Sequence, residues 1–201
     1  KIKIFHENIL TIDTHVDIPN SFGTKIYDPM IKTSPTQKLH LSSMIKGGLD
    51  AVFLIVYVQQ NKRNITNNAK ALSDAFLKFH AIHKLTKEQY PDKIGLALSP
   101  QDIIELNKNN KKIALIGIEN GFPMGGNLEL LQVFYNYGAR YFGLLHDGHN
   151  DLGDSARPQK RLNDKHSEHN GLSELGLETI KRLNQLGIIV DISHSSEKSS
   201  L

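Results

Sequence analysis

Residues 171–196 read GLSELGLETIKRLNQLGIIVDISHSS, and the reading of this stretch decides the fold. From Ser173 to Leu186 the apolar residues Leu175, Ile180, Leu183 and Leu186 recur at helical spacing and face one way. Gly187 ends the helix, because a residue without Cβ enters the left-handed region at no steric cost. Ile188–Ser193 (IIVDIS) then reads as a short, apolar strand, and His194 follows it directly. An amphipathic helix, a glycine stop and an apolar strand tipped by a polar residue make one unit of a parallel α/β sheet.

The same rhythm runs through the rest of the chain. Ile9–Thr14 (ILTIDT), Leu49–Val58 (LDAVFLIVYV), Ile113–Ile118 (IALIGI) and Tyr141–Leu145 read as strands. Asn67–Leu85 reads as a helix with Leu72, Phe76 and Phe79 on one face. Ser99-Pro100-Gln101-Asp102 reads as a helix start, with Ser as N-cap and Pro at the first helical position. Leu128–Tyr137 reads as a helix with Gly138 just past its end. Strands this apolar are buried on both faces, as in a parallel sheet covered by helices. Two architectures fit, a doubly wound open sheet or a (β/α)8 barrel. A whole barrel takes about 250 residues, so these strands are either part of a barrel or a complete open sheet.

Bulk properties exclude several classes. The 201 residues carry a net charge of only +3, with no Lys/Arg cluster, so nucleic acid is not an expected partner. There is no Cys, which excludes a disulfide scaffold, a thiolate metal site and a Cys nucleophile. The longest apolar run, Ala51–Val58, has the length of a strand rather than a membrane span. The opening KIKIFHENIL lacks the apolar core and small-residue cleavage site of a signal peptide. The chain does not start with Met, so removal of a leader stays open, as does the choice between cytoplasm and periplasm.

Polar residues of one kind sit at the ends of four strands: His15 and Asp17 in Asp13-Thr14-His15-Val16-Asp17, then Glu119, His146 and His194. In a parallel barrel these ends share one rim, where active sites lie. Imidazole and carboxylate suit divalent cations, zinc above all. Side chains two apart on a strand point the same way, so His15 and Asp17 can reach one metal. Asp13 shares their parity and is expected inward as a supporting partner. Taken singly, each has an ordinary explanation: a strand-end carboxylate at the surface, or a hydrogen-bonded core histidine. Their joint placement carries the argument.

The other histidines have plainer readings. His6, His40, His80 and His83 fall at the terminus, in a loop or on a helix, and His80 and His83, at helical spacing with no carboxylate motif beside them, are expected at the surface. His149, His166 and His169 lie in the loop after the fourth strand, where lining a substrate entrance competes with an ordinary loop position. No nucleophile elbow, P-loop or dinucleotide fingerprint is present. Met124-Gly125-Gly126-Asn127 is weak evidence for phosphate binding, and Ser193, Ser195 and Ser196 beside His194 make no catalytic triad.

These motifs resemble those of the renal (membrane) dipeptidase family, in a bacterial-type form. DTHVD (13–17), GGLDAVFLIVYV (47–58), GIENG (117–121), GARYFGLLHDGHNDLGDSA (138–156) and residues 171–196 are similar to family segments in the same order. The resemblance implies a TIM-type (β/α)8 metallohydrolase barrel with two zinc ions, of which residues 1–201 supply about the first five βα units, as the N-terminal part of a single domain. By motif position His15 and Asp17 would bind one zinc, Glu119 would bridge both, and His194 would bind the second. His146 would touch the substrate and stabilise the oxyanion, with Glu119 the other catalytic group. Asn150, Asp154 and Ser155 lie in a loop that matches a family segment, and no catalytic role is assigned to them. Val16, Asn120 and Leu145 depart from the residues usual at their positions. A further zinc His, a substrate-binding Arg and a proton-transferring Asp would lie beyond Leu201, so the 201 residues alone are expected to be inactive.

The resulting expectation is zinc-dependent hydrolysis of a dipeptide, with the dipeptide as the partner and a homodimer left open. Another amidohydrolase-type metal enzyme is the first rival, although such enzymes more often carry His-x-His on the first strand and a bridging Lys. A metal-binding but non-catalytic fragment is the second.

Overall fold

A computed structural model describes His6, residues 8–31 and residues 37–201. The opening residues 1–5, part of the segment read as no signal peptide, lie outside the described ones. The described elements are β1 (Ile12–Asp17), α1 (Leu41–Gly47), β2 (Ala51–Tyr57), α2 (Ile65–Lys84), β3 (Ile94–Leu96), α3 (Pro100–Lys108), β4 (Lys112–Glu119), α4 (Glu129–Asn136), β5 (Ala139–Gly143), α5 (Glu174–Leu186), β6 (Ile189–Asp191) and α6 (Glu197–Ser200). The strand order is β1-β2-β4-β5-β6, with β3 pairing with β4. The expected α/β architecture of a TIM-type barrel segment is therefore met, with one short strand, β3, in addition.

Two compact units can be distinguished by their internal contacts: Lys1–Ile55 with Leu77–Ile116, and Val56–Phe76 with Gly117–Leu201. In the first, β1 pairs in parallel with the start of β2, and β3 with the start of β4. Its core holds the fully buried Phe22, Leu41, Leu54, Ile55, Phe79, Ile82, Leu85 and Ile94. Each such side chain contributes about 1.5–3 kcal/mol by leaving water. Below the strands, Lys112 Nζ contacts Asp50 Oδ1 at 3.0 Å, and Thr11 donates to Asp50 from both its backbone and its hydroxyl. Burial alone would push the Asp50 carboxyl up, but the Thr11 and Lys112 donors outweigh it and hold it below its ordinary value.

In the second unit β5 pairs in parallel with β6. Phe122, Phe134 and Phe142 are fully buried there. Helix α5 begins and ends as its sequence dictates. Ser173 accepts the Gly176 N–H at its hydroxyl, and Gly187 closes the helix at φ +71°. Its Gly176 lies so close to the Leu152 carbonyl that a Cβ would stand 2.0 Å from that oxygen. Ser99 caps α3 in the same manner, taking the Asp102 N–H at 3.2 Å.

Several element bounds differ from the sequence reading. β1 runs Ile12–Asp17 rather than Ile9–Thr14, so His15 and Asp17 lie inside the strand instead of beyond it. A bulge lies between Asp13 and Val16, where the pairing register against β2 slips. That slip breaks the simple alternation on which an inward Asp13 was expected; its Oδ1 instead accepts the His15 backbone N–H at 3.0 Å. β6 contracts to Ile189–Asp191, and its Ile189 is 62% exposed rather than buried. α1 and β3 carried no periodic signal strong enough to read.

Candidate metal centre

In the first unit, His15 and Asp17 lie at the C-terminal end of β1, with His15 Nε2 3.5 Å from Asp17 Oδ1. The bulge, with Asp13 holding the His15 N–H, sets this end of the strand. Both side chains are open to solvent, at 38% and 54% exposure.

In the second unit, three strand ends bring Glu119, His146 and His194 together. One ligand atom from each lies within 4.8 Å of the other two. Glu119 is the last residue of β4 and only 5% exposed. Its Oε1 lies 3.2 Å from His194 Nε2 and 4.0 Å from His146 Nε2. The two imidazole rings are 4.3 Å apart between centroids, and the Tyr57 ring lies 4.6 Å from that of His146. A buried carboxylate beside two imidazoles is the donor chemistry of a divalent cation such as zinc.

What holds these side chains was only partly visible in the sequence. Asn120, next to Glu119, is fully buried at φ +79°. Its Nδ2 donates to the Val58 carbonyl and to Gln60 Oε1. Its Oδ1 accepts from the Phe122 N–H and from Asn150 Nδ2. Asn150 in turn donates to the Leu144 carbonyl at 2.8 Å. The amides thus tie the ends of β2, β4 and β5 together beside Glu119.

The loop after β5 is organised around Asp154. Its carboxylate accepts from the Ser167 hydroxyl and from the N–H groups of Glu168, His169 and Gly171. Burial would push this carboxyl up, but those four donors outweigh it and hold it well below the usual carboxylate range. The neighbouring residues reach both histidines. The Ser155 hydroxyl donates to the His146 carbonyl, and the Ala156 N–H donates to the His194 carbonyl at 2.8 Å. His194 itself sits at φ +63°, a backbone region few residues with a Cβ occupy.

Among the other histidines, His80 is exposed as expected, while His83 is half-buried. His149 is buried rather than at an entrance: its Nδ1 accepts the Ser155 N–H and its Nε2 faces the Lys165 carbonyl at 2.9 Å. His169 Nε2 meets the Asn150 carbonyl at 3.0 Å. His166 is exposed and lines a cavity of about 410 Å³ with Asp154, Ser155, Ser167 and Lys198.

A parallel α/β sheet of TIM type with imidazoles and a carboxylate gathered at strand ends is the architecture of a barrel protein that could hold a metal ion. Within that class, the chain belongs to the membrane dipeptidase family (Peptidase family M19), whose sequence model matches residues 1–200. It is 29% identical over 163 residues to Dipeptidase tcpJ of Claviceps purpurea, covering 79% of this chain and 37% of that protein. It is 30% identical over 155 residues to Dipeptidase aclJ of Aspergillus oryzae, covering 75% and 35%. The probable dipeptidase PvdM from Pseudomonas aeruginosa superposes with a TM-score of 0.90 at 30% identity, over 98% of this chain and 50% of that one. The chain thus spans well under two thirds of the length of these relatives. A metallo peptidase from Rhodobacter sphaeroides, solved with a phosphinate mimic of the dipeptide L-Ala-D-Ala, shares the fold at 19% identity and a TM-score of 0.68, covering 84% and 53%. No helix among the described residues is long and apolar enough to cross a membrane.

Proposed function

We propose that the protein containing this chain hydrolyses dipeptides at a two-zinc centre within a single barrel domain. His15 and Asp17 would hold one ion, Glu119 both, and His194 the second. The observation that carries this reading is the gathering of Glu119, His146 and His194 ligand atoms within 4.8 Å of one another, in a chain of a dipeptidase family. Zinc, when bound, supplies Lewis-acid polarisation of the peptide carbonyl and acidifies water.

The chain's own residues do the rest. Glu119, buried at 5% exposure, presents a carboxylate where little water competes for it. Two ligand atoms sharing one zinc lie ~3.4 Å apart, given bonds of ~2.0–2.2 Å. The 3.2 Å between Glu119 and His194 supports a shared ion, and the wider 4.0 Å to His146 supports a different task for that ring. His146 donates its Nε2–H to the oxygen that gains charge as the carbonyl is attacked. Tyr57 and the His194 ring confine the His146 imidazole, so little ordering remains to be done in the transition state.

The test is zinc analysis of the full-length polypeptide together with hydrolysis of a panel of dipeptides, for the parent and Glu119→Gln. Bound zinc and a turnover that chelation abolishes and zinc restores are expected, both lost in Glu119→Gln. Zinc without turnover on any dipeptide would replace this reading by a non-catalytic metal-binding one, and absence of zinc would end it.

A further inference from the structure

Asp147 has no part in the function proposed above, although it directly follows His146. Its Oδ1 is buried and has no hydrogen-bond partner among the described residues. That same oxygen lies 3.5 Å from Nδ1 of His194. Arg157 approaches it only to 3.9 Å, from a side chain that is 72% exposed. The other nitrogen of the His194 ring, Nε2, faces Glu119 Oε1 at 3.2 Å. The imidazole is therefore strung between two carboxylates, one at each nitrogen.

We propose that Asp147 is a positioning residue for His194, accepting Nδ1–H so that the Nε2 lone pair is directed at the cation shared with Glu119. This inference rests on the metal-centre reading above. A neutral imidazole has one N–H and one lone pair, and only the lone pair binds a cation. Without a partner at Nδ1, the tautomer with its proton on Nε2 competes and cannot bind. A carboxylate at Nδ1 selects the other tautomer, fixes the ring's rotation and makes Nε2 more basic.

The His194 backbone is fixed at φ +63° by the Ala156 N–H on its carbonyl, but that bond constrains the chain and not the ring. The 3.5 Å contact is about half an ångström longer than a hydrogen bond, so the proposed bond requires the Asp147 carboxylate and the His194 ring to draw together. The exposed Arg157 contact is too screened to explain a buried, unpartnered oxygen. Asp147 and His146 leave the same loop, so the segment that presents the substrate-facing imidazole also sets the orientation of the metal-facing one.

The test uses the full-length polypeptide and zinc, measured by competition with a chelator. Asp147→Ala should weaken zinc binding ~10–100-fold. Asp147→Asn, which keeps an oxygen acceptor, should recover most of that loss, and Arg157→Ala should leave the affinity at the parental value. In the zinc-loaded parent, nitrogen NMR should find the His194 proton on Nδ1. Parental zinc affinity in Asp147→Ala, an equal loss in Arg157→Ala, or a His194 proton on Nε2 would each overturn the proposal while leaving the metal centre standing. Should Asp147→Ala fail to fold, the Asp147→Asn affinity and the parent's nitrogen signals decide. A parent that binds no zinc, by contrast, removes the metal-centre reading itself and this inference with it.

Discussion

Glu119 Oε1 and His194 Nε2 stand 3.2 Å apart, although 75 residues of chain separate the strand ends that carry them. The carboxylate is the more buried partner, at 6% side-chain exposure against 27% for the imidazole. If Glu119 bridges two ions and His194 serves one, Glu119→Ala removes more metal than His194→Ala. Metal content per polypeptide after exhaustive dialysis should fall by most of its value in Glu119→Ala and by about half in His194→Ala. Equal zinc in Glu119→Ala and the parent would rule out the bridge.

Asp154 should make the protein sensitive to acid. Its carboxyl is depressed in the folded state, because donors from Ser167, Glu168, His169 and Gly171 outweigh the opposing effect of burial. An unfolded Asp titrates near ~3.9. The stabilisation is therefore complete above that value and is lost as pH falls through the lower, folded one. Urea unfolding of the parent should show a steep loss of stability below about pH 4. In Asp154→Asn the curve should start lower and be flatter over that window. A parent curve no steeper than the variant's would show that the four donors do not hold a charged carboxylate.

The βα rhythm was legible because it depends on local pattern. The apolar runs of β2 and β4 are buried almost throughout, and Ser99 and Gly187 sit where their cap chemistry placed them. β1 was displaced by three residues because DTHVD is polar and reads as a loop. Its strand character comes from pairing with β2 around a bulge, which no local pattern encodes. The gathering of Glu119, His146 and His194 followed from a topological rule, that parallel strand ends share a rim. The supporting residues were hidden for the opposite reason. Asp154 finds its donors 13 to 17 residues further on, and Asn120 finds Asn150 across 30 residues. The only sequence trace was a loop rich in Asn, Asp and Gly, which is the composition of any turn.

Gly176 offers a sharper test of packing. Alanine is ordinarily favoured over glycine in a helix by about 1 kcal/mol. Here a Cβ would lie 2.0 Å from the Leu152 carbonyl oxygen, a backbone atom that cannot swing aside. The clash outweighs the propensity gain, and α5 must move away from the loop that carries Asp154. Gly176→Ala should lower stability by about 1–3 kcal/mol, read from urea unfolding. A stabilised variant would mean that α5 and Leu152 are not in the contact described.

Asn120→Gly sets two effects against each other at the residue beside Glu119. At φ +79° a side chain costs about 1–2 kcal/mol relative to glycine, and less for Asn than for most residues. Taken alone, this predicts that glycine stabilises. But the Asn120 amide donates to Val58 O and Gln60 Oε1, and accepts from Phe122 N and Asn150 Nδ2, all in a fully buried position. Glycine leaves those partners without a mate, at about 1–3 kcal/mol for each that water cannot reach. The lost hydrogen bonds win, and Asn120→Gly should be destabilised by roughly 2 kcal/mol or more. Because the same amides tie Val58 and Leu144 beside Glu119, zinc affinity should fall as well, in proportion to how far the Glu119 carboxylate is released. Urea unfolding of the zinc-free protein measures the first effect, and chelator competition measures the second. An Asn120→Gly protein as stable as its parent would show that backbone strain, and not the amide network, governs this turn.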